Sequence, residues 1–406
     1  MKSKKMKICL INNTYNSKRV SGSKRIVEIL KKGLEERGED VFVITTKKKN
    51  FFLKNSYSYK DNIYYFSSFF SQLDRIPKVL RLFWHICDLF DFKTAYRIKK
   101  IIKKEKTDLV ITHNLKGLSY LLPFFLKSKK IKHIHYLHDI QLIHPSGLLI
   151  FNKEYYILKS FFARIYARIV SFLFFYVDVV ISPSKWLLEL HENFNFFDKS
   201  LKVNLENPIV LDRDKKDRDK FVKNPRQFSF LFVGQLDFYK GIFFLLDNFG
   251  KILDKWENEI EIKLDIIGDG AGMQKVKQIL ESQNLDKNIF LHGILDNEKV
   301  QEKMQKADLL VIPSLCYENS PTVIYEAINQ KLPVLATKLG GNIELIESLG
   351  GFLYEANSSS DFLDMVDKIL EKRDNLMQNS EISYQKITAY SLSNYLNKLF
   401  SLIKND

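Results

Sequence analysis

Along this chain, short apolar runs alternate with stretches whose apolar residues recur every three or four positions. Residues 7–13 (KICLINN) read as a strand, and 23–37 then carry Ile26, Val27, Ile29, Leu30 and Leu34 at helical spacing before Gly38. A short apolar run suits a buried strand, whereas the i, i+3, i+4 recurrence followed by glycine suits an amphipathic helix. Further strands are predicted at 41–45, 108–112 and 131–137, with a long apolar-basic helix at 155–176 running into a strand at 177–182. The rhythm restarts at 228–233 (FSFLFV), followed by LDFYKG and a helix from Gly241. Strands then follow at 263–268, 289–293, 309–313 and 332–337, and Leu392, Leu396, Leu399 and Ile403 predict a terminal helix. Strand–helix alternation of this kind predicts an α/β protein with doubly wound parallel sheets, whose ligands bind at the carboxyl ends of the strands.

The charged stretch DRDKKDRDKFVKNPRQ interrupts the pattern after Asn207-Pro208 and reads as a linker. At 406 residues the chain is too long for one ordinary core. The expected organisation is a first Rossmann-like domain over 1–205 and a second over 206–385, facing a cleft. A helical tail at 386–406 could pack back on the first domain.

The stretch LLVIPSLCYENSPTVIYE, 309–326, concentrates the candidate chemistry. Its apolar run is a strand, 314–319 is a loop, and Ser320-Pro321 has the form of an N-cap followed by proline at the first helical position. Glu318 on the loop and Glu326 on the helix thus flank a helix N-terminus, whose unpaired N–H groups suit phosphate. Carboxylates accept hydrogen bonds from vicinal hydroxyls, so the set matches a molecule with hydroxyls at both ends and a diphosphate between. Two glutamates on any α/β unit would look the same. Gly22, in the first strand-to-helix connection, could let backbone approach a phosphate or could be a turn glycine.

A hydrophobic content of 45% and a charged content of 27% suit a soluble globular protein, and no run approaches the roughly 18 apolar residues of a membrane span. The basic N-terminus runs straight into a strand with no signal region. Cys9, Cys87 and Cys316 form no close pair, which fits reduced thiols. Residues 1–205 carry a net charge of +21 and 206–406 one of −6. A basic half predicts a surface for an anionic partner. No nucleic-acid signature is present, so a membrane surface is favoured over nucleic acid. Residues 83–106 add Phe83, Trp84 and Phe92, with Ile98, Ile101 and Ile102 on one face among lysines. That is the composition of an interfacial helix, or of a core-packed helix with a solvated basic face. The expected location is the cytoplasm, peripheral at the inner membrane face.

His133, His135, His138 and His144 fall within twelve residues. No tight carboxylate or cysteine set accompanies them, so a metal site is not expected. His138 follows its strand's carboxyl end, where an active residue should lie.

These pieces, in order, resemble the family-4 retaining glycosyltransferases of GT-B fold: YLHDI, DVVISPS, ENPI, FVGQLDFYKG, IIGDG, FLHG, ADLLVIPS, the Glu318/Glu326 pair and ATKLGG. The resemblance covers nearly the whole chain and implies a nucleotide-diphosphate sugar, UDP- or GDP-linked, bound mainly by the second domain. Glu326 would then bind the ribose and Glu318 a sugar hydroxyl, with amides at Thr322 and Val323 and the residues around Ser320 cradling the phosphates. Lys240 would neutralise the leaving diphosphate, Gly293 would lie near the base, His138 over the sugar, and Gly22 across from the phosphates. No cofactor or bound metal is implied. The implied setting is surface polysaccharide assembly (capsule or lipopolysaccharide type) on a glycan or lipid-linked acceptor. Gln235 stands where the family usually has arginine. A neutral donor bonds phosphate less strongly; Lys18, Arg19, Lys24 or Arg25 could compensate. A non-catalytic GT-B binding or partner protein is the alternative that Gln235 supports, and a sugar-nucleotide epimerase is a minor third.

Overall fold

The βαβ rhythm folds into two separate sheets in a computed structural model that describes residues 5–15, 22–48, 57–68, 73, 77–127, 131–211, 224 and 226–404. One unit comprises 1–148, 154–210 and 392–406; the other comprises 149–153 and 211–391. The sequence alone puts these divisions at 205/206 and 385/386, and the expected linker lies mostly outside the described residues.

The first unit contains β1 (Lys7–Ile11), α1 (Gly22–Glu36), β2 (Asp40–Lys48), β3 (Tyr57–Lys60), β4 (Ile63–Ser68), α2 (Lys78–Leu89), α3 (Phe92–Lys104) and β5 (Leu109–Thr112). It continues with α4 (Leu122–Leu126), β6 (Lys132–Tyr136), α5 (Glu154–Leu158), α6 (Phe161–Leu173), β7 (Val179–Ser182), α7 (Lys185–Glu192) and β8 (Leu201–Asn204). Strand order is β3-β4-β2-β1-β5-β6-β7-β8, and every neighbouring pair is parallel except the β3–β4 hairpin. Strands β1, β5 and β7 are nearly continuous apolar runs because helices cover both faces of the sheet.

The second unit contains β9 (Gln227–Val233), α8 (Ile242–Trp256), β10 (Glu261–Ile267), α9 (Met273–Ser282), β11 (Ile289–Gly293), α10 (Asn297–Lys306) and β12 (Leu309–Ile312). It is completed by α11 (Thr322–Asn329), β13 (Val334–Thr337), α12 (Gly341–Leu349), β14 (Phe352–Tyr354), α13 (Ser359–Glu371) and α14 (Leu376–Ile387). All its strands are parallel, in the order β11-β10-β9-β12-β13-β14. The last helix, α15 (Leu392–Lys404), joins the core of the first unit through Tyr395, Leu396 and Leu399. Gly33 makes this possible, since a Cβ there would come within 2.7 Å of the Leu392 side chain.

Two local expectations are corrected. The helix predicted over 155–176 is two helices, because the Ser160 hydroxyl accepts the Ala163 N–H at 3.2 Å and starts α6 afresh. The basic stretch 83–106 spans the end of α2 and all of α3, with Asp91 accepting from Thr94 N–H at 3.0 Å to cap α3. Of the two readings of the isoleucine stripe, the favoured membrane-facing one gives way to the core-packed one, for Ile98, Ile101 and Ile102 are all buried. No helix among the described residues is long and apolar enough to cross a membrane.

Candidate functional site

In the second unit the chain builds β9, steps outward to β10 and β11, and returns to the other side of β9 for β12. The order of strands therefore reverses between β9 and β12, and the loops leaving these two strands diverge there, which is where doubly wound sheets bind ligands.

Backbone contacts clip the two loops together. The carbonyl of Tyr239, on the β9 loop, accepts the N–H groups of Leu315 (2.9 Å) and Cys316 (3.1 Å) on the β12 loop. Gly241 closes the β9 loop at φ 72°, and a Cβ there would lie 1.7 Å from the Pro313 carbonyl oxygen. Only glycine fits this approach. From the β13 side, Thr337 Oγ1 donates to Ser314 O (2.9 Å) and Gly341 N–H donates to Glu318 O (2.8 Å). The segment 149–153 borders the same loop: Phe151 N–H donates to Leu315 O at 2.8 Å and Tyr317 N–H to Leu149 O at 2.9 Å.

On this frame Lys240 Nζ lies 2.5 Å from Glu318 Oε1, which also accepts from the Ser314 hydroxyl at 2.9 Å. Burial alone would raise the Glu318 carboxyl, but the Lys240 charge and these hydrogen bonds hold it below the ordinary value. Burial would likewise lower the lysine; Glu318 outweighs it and raises Lys240. The Cys316 thiol is pushed up by burial and by Glu318, so it stays protonated. An ammonium and a carboxylate, both partly open to solvent, thus lie fixed at the reversal point.

Helix α11 begins at Thr322, and its N-cap is Pro321, not Ser320. Pro321 has an extended ψ of 121°, so the helix starts one residue later than predicted, and Ser320 instead bonds the Tyr325 hydroxyl at 2.7 Å. Thr322 and Val323 are the first two helical residues; amides in those positions point out of the helix end. Glu326 is half-buried one turn further on. Gln235 Oε1 accepts the Tyr239 hydroxyl. Gly293 ends edge strand β11 at φ 63°, and the adjacent His292 ring and Lys303 Nζ both bond Asp265 Oδ1.

In the first unit His138 follows β6, its ring stacked on Tyr136 at 4.8 Å, with its Nε2 2.8 Å from His113 Nδ1. His113 follows β5, and its Nε2 has no hydrogen-bond partner among the described residues. An unpaired buried acceptor costs less than an orphaned N–H. His113 Nδ1–H therefore donates, and the His138 proton sits on Nδ1. Burial lowers His138 to about 3, so its imidazole is neutral. His133 and His135 share the Thr112 hydroxyl at 2.8 and 2.9 Å. Among the described residues no group of three or more His, Cys, Asp or Glu is arranged to hold a metal.

Gly22 is the exposed first residue of α1. Lys24 pairs with Glu28 at 3.7 Å, while Lys18 and Arg19 lie outside the described residues. Sequence reasoning misses His113, Ser314 and the carbonyl of Tyr239. His113 stands directly after an apolar strand run, the same signal that singles out His138, whereas the other two become visible only with the backbone path.

The model described as Glycosyl transferases group 1 matches residues 213–386, and that described as Glycosyltransferase Family 4 matches 20–204. The chain is 28% identical over 347 residues to an uncharacterised 42.6 kDa protein in the cps region of Klebsiella pneumoniae, covering 84% of this chain and 87% of that one. Sucrose-phosphate synthase from Thermosynechococcus elongatus superposes with a TM-score of 0.73 at 17% identity, covering 98% of both chains. Anabaena Alr3699/HepE in complex with UDP superposes with a TM-score of 0.71 at 15% identity, covering 99% of this chain and all of that one. The chain belongs to the family-4, group 1 glycosyltransferases and has the GT-B fold of two Rossmann-like domains.

Proposed function

Proceeding from that family, we propose that this chain moves a sugar from a UDP- or GDP-sugar to a glycan or lipid-linked acceptor at the cytoplasmic face of a membrane, with retention at the anomeric carbon, in surface polysaccharide assembly. The observation that carries the reading is the Lys240–Glu318 pair beside the α11 N-terminus, at the strand-order reversal. The relative in a cps region supports the polysaccharide setting, and the neighbour solved with UDP supports a nucleotide donor.

In this reading Glu326 accepts from the ribose hydroxyls, and Thr322 and Val323 amides face the diphosphate. As the anomeric C–O bond breaks, negative charge grows on the diphosphate and the sugar ring becomes oxocarbenium-like. Lys240, pre-held by Glu318, and the helix end supply positive potential where that charge develops. Glu318 turns its second oxygen to a sugar hydroxyl. The acceptor oxygen attacks from the face the diphosphate leaves, and a departing phosphate oxygen takes the acceptor's proton. His138, neutral, offers a hydrogen bond to the sugar rather than a charge. No metal enters the scheme.

The second reading, a GT-B protein that binds donor without turnover, is favoured by Gln235, whose side-chain oxygen is engaged by Tyr239 where the family has arginine. A release assay separates the two. Protein and a panel of UDP-, GDP- and other nucleotide-sugars, with and without membrane extract, would be scored for free nucleoside diphosphate beside Glu326→Ala. Extract-dependent release abolished by the substitution supports transfer. Donor binding without release under every condition favours the second reading.

A further inference from the structure

Helix α6 buries Ala163, Ala167 and Val170 and turns a different stripe to solvent. That stripe is Phe161, Ile165, Arg168 and Phe172, at helical spacing, and its apolar members are 72%, 44% and 65% exposed. An outward stripe on a surface helix is ordinarily polar; here arginine alone interrupts the hydrocarbon.

The strip does not end with the helix. The Phe172 ring stacks on Phe124 of α4 at 6.3 Å and 29°, and the next residue, Phe125, meets Phe92 of α3 edge-on at 6.1 Å. Phe124 is 41% and Phe92 60% exposed, so outward rings stand on three adjoining helices. Cations line them: Lys127 Nζ lies 4.0 Å from the Tyr176 ring and Lys99 Nζ 5.7 Å from the Phe125 ring. Together α3, α4 and α6 carry eight Lys or Arg, six on α3 and two on α6, and not one Asp or Glu.

Exposed rings gathered on three adjoining helices mark an interaction surface. The charge pattern selects the occupant. A second copy docking through the same face would set two acid-free basic surfaces against each other, which is repulsive. An anionic bilayer complements both features: the rings enter the boundary between headgroups and acyl chains, and the cations meet lipid phosphates. We propose that the α3–α4–α6 face of the first unit docks on an anionic lipid bilayer. The inference rests, for its biological purpose, on the reading of a membrane-bound acceptor; it replaces the buried isoleucine stripe of α3 with the outward rings as the contacting groups.

The test is co-sedimentation of the full chain with phosphatidylglycerol–phosphatidylcholine vesicles and with phosphatidylcholine vesicles alone. Wild type should bind the anionic vesicles at least tenfold more tightly, with binding weakened by salt. The triple variant Phe124→Ser, Phe161→Ser, Phe172→Ser should lose at least tenfold with an unchanged thermal melt. As a milder probe, Phe161→Trp should add to the wild-type fluorescence an emission that shifts to the blue, and is quenched by brominated lipid, on adding anionic vesicles. Equal binding by wild type and triple variant, or no shift in the emission of the introduced indole, would overturn the proposal. So would self-association in sedimentation velocity that the triple variant abolishes in the absence of vesicle binding. Titrating UDP and GDP in parallel separates the two readings: vesicle binding without nucleotide binding would sink the transferase reading and leave this one standing.

Discussion

Lys240 Nζ lies 2.5 Å from Glu318 Oε1, and the pair joins the loops that leave the strands on either side of the second sheet's order reversal. Neither residue is ordinary for its type, since each shifts the other toward its charged form. In the proposed reaction Lys240 meets the leaving group and Glu318 holds it ready.

Replacing Lys240 by Met removes positive potential from the leaving diphosphate and leaves the Glu318 carboxylate without its cation. Turnover per unit donor, kcat/KM, should fall roughly 100- to 1,000-fold. Stability should fall by about 2 kcal/mol by urea denaturation, since a hydrogen bond to a charged group is lost. Adding Glu318→Gln should restore most of the stability and none of the activity. Recovery of activity in the double variant would show that Lys240 serves the fold alone.

Gly241→Ala tests the clip between the loops. Its methyl would have to displace the Pro313 carbonyl, at a backbone conformation that alanine disfavours. The expected cost is roughly 1–3 kcal/mol in stability. Affinity for nucleoside diphosphate should also weaken, measured by calorimetry, as Lys240 moves with the loop. A variant that binds as tightly as wild type would show that the β9 loop does not hold donor.

His113→Phe keeps a ring beside Tyr136 and deletes the donor to His138 Nε2. Because His113 acts through His138, kcat should drop roughly tenfold, while the affinity for nucleoside diphosphate is unchanged. The pH profile of kcat should shift as well, since His138 loses the bond that fixes its tautomer. A loss confined to thermal stability would assign His113 to packing.

Acid sensitivity follows from the first unit's buried imidazoles. His113, His133, His135, His138 and His191 all have values lowered by burial, the largest cause in each case. Below the ordinary value of 6.5 the unfolded chain takes up protons that the folded chain refuses, so stability falls as pH falls. Each imidazole contributes a slope of up to about 1.4 kcal/mol per pH unit. Glu318 adds to the loss only lower, since its contribution is complete above the ordinary 4.5 and disappears as pH falls through its depressed folded value. Urea midpoints at about pH 7.5, 6.5, 5.5 and 4.5 should therefore drop steeply below roughly 6.5; midpoints that stay level to about pH 5 would contradict neutral, buried histidines.

Much of this is legible in the chain. Apolar runs such as LLVIP and FSFLFV announce buried parallel strands because both faces are covered, and a glycine such as Gly38 marks a helix end. Glu318, Lys240 and His138 stand out because each follows such a run, where ligands bind. What escapes has a common physical cause. Strand β3 of the β3–β4 hairpin is exposed along its whole length, so its YSYK carries no apolar signature. The break at Ser160 is decided by a single cap inside a sequence whose periodicity continues through it. The lysine-rich helix misleads because an isoleucine stripe looks the same whether core or lipid covers it. The segment 149–153 pairs with residues more than 160 positions later, and no local pattern encodes that.

The most direct test of the account is whether Glu326 meets the ribose of a bound nucleotide. Calorimetry would compare UDP and GDP with their 2′,3′-dideoxy forms, on wild type and on Glu326→Ala. The account predicts that removing either the hydroxyls or the carboxylate costs roughly tenfold in affinity, and that removing both costs no more than removing one. Two losses that simply multiply, or nucleotide affinity untouched by Glu326→Ala, would contradict it.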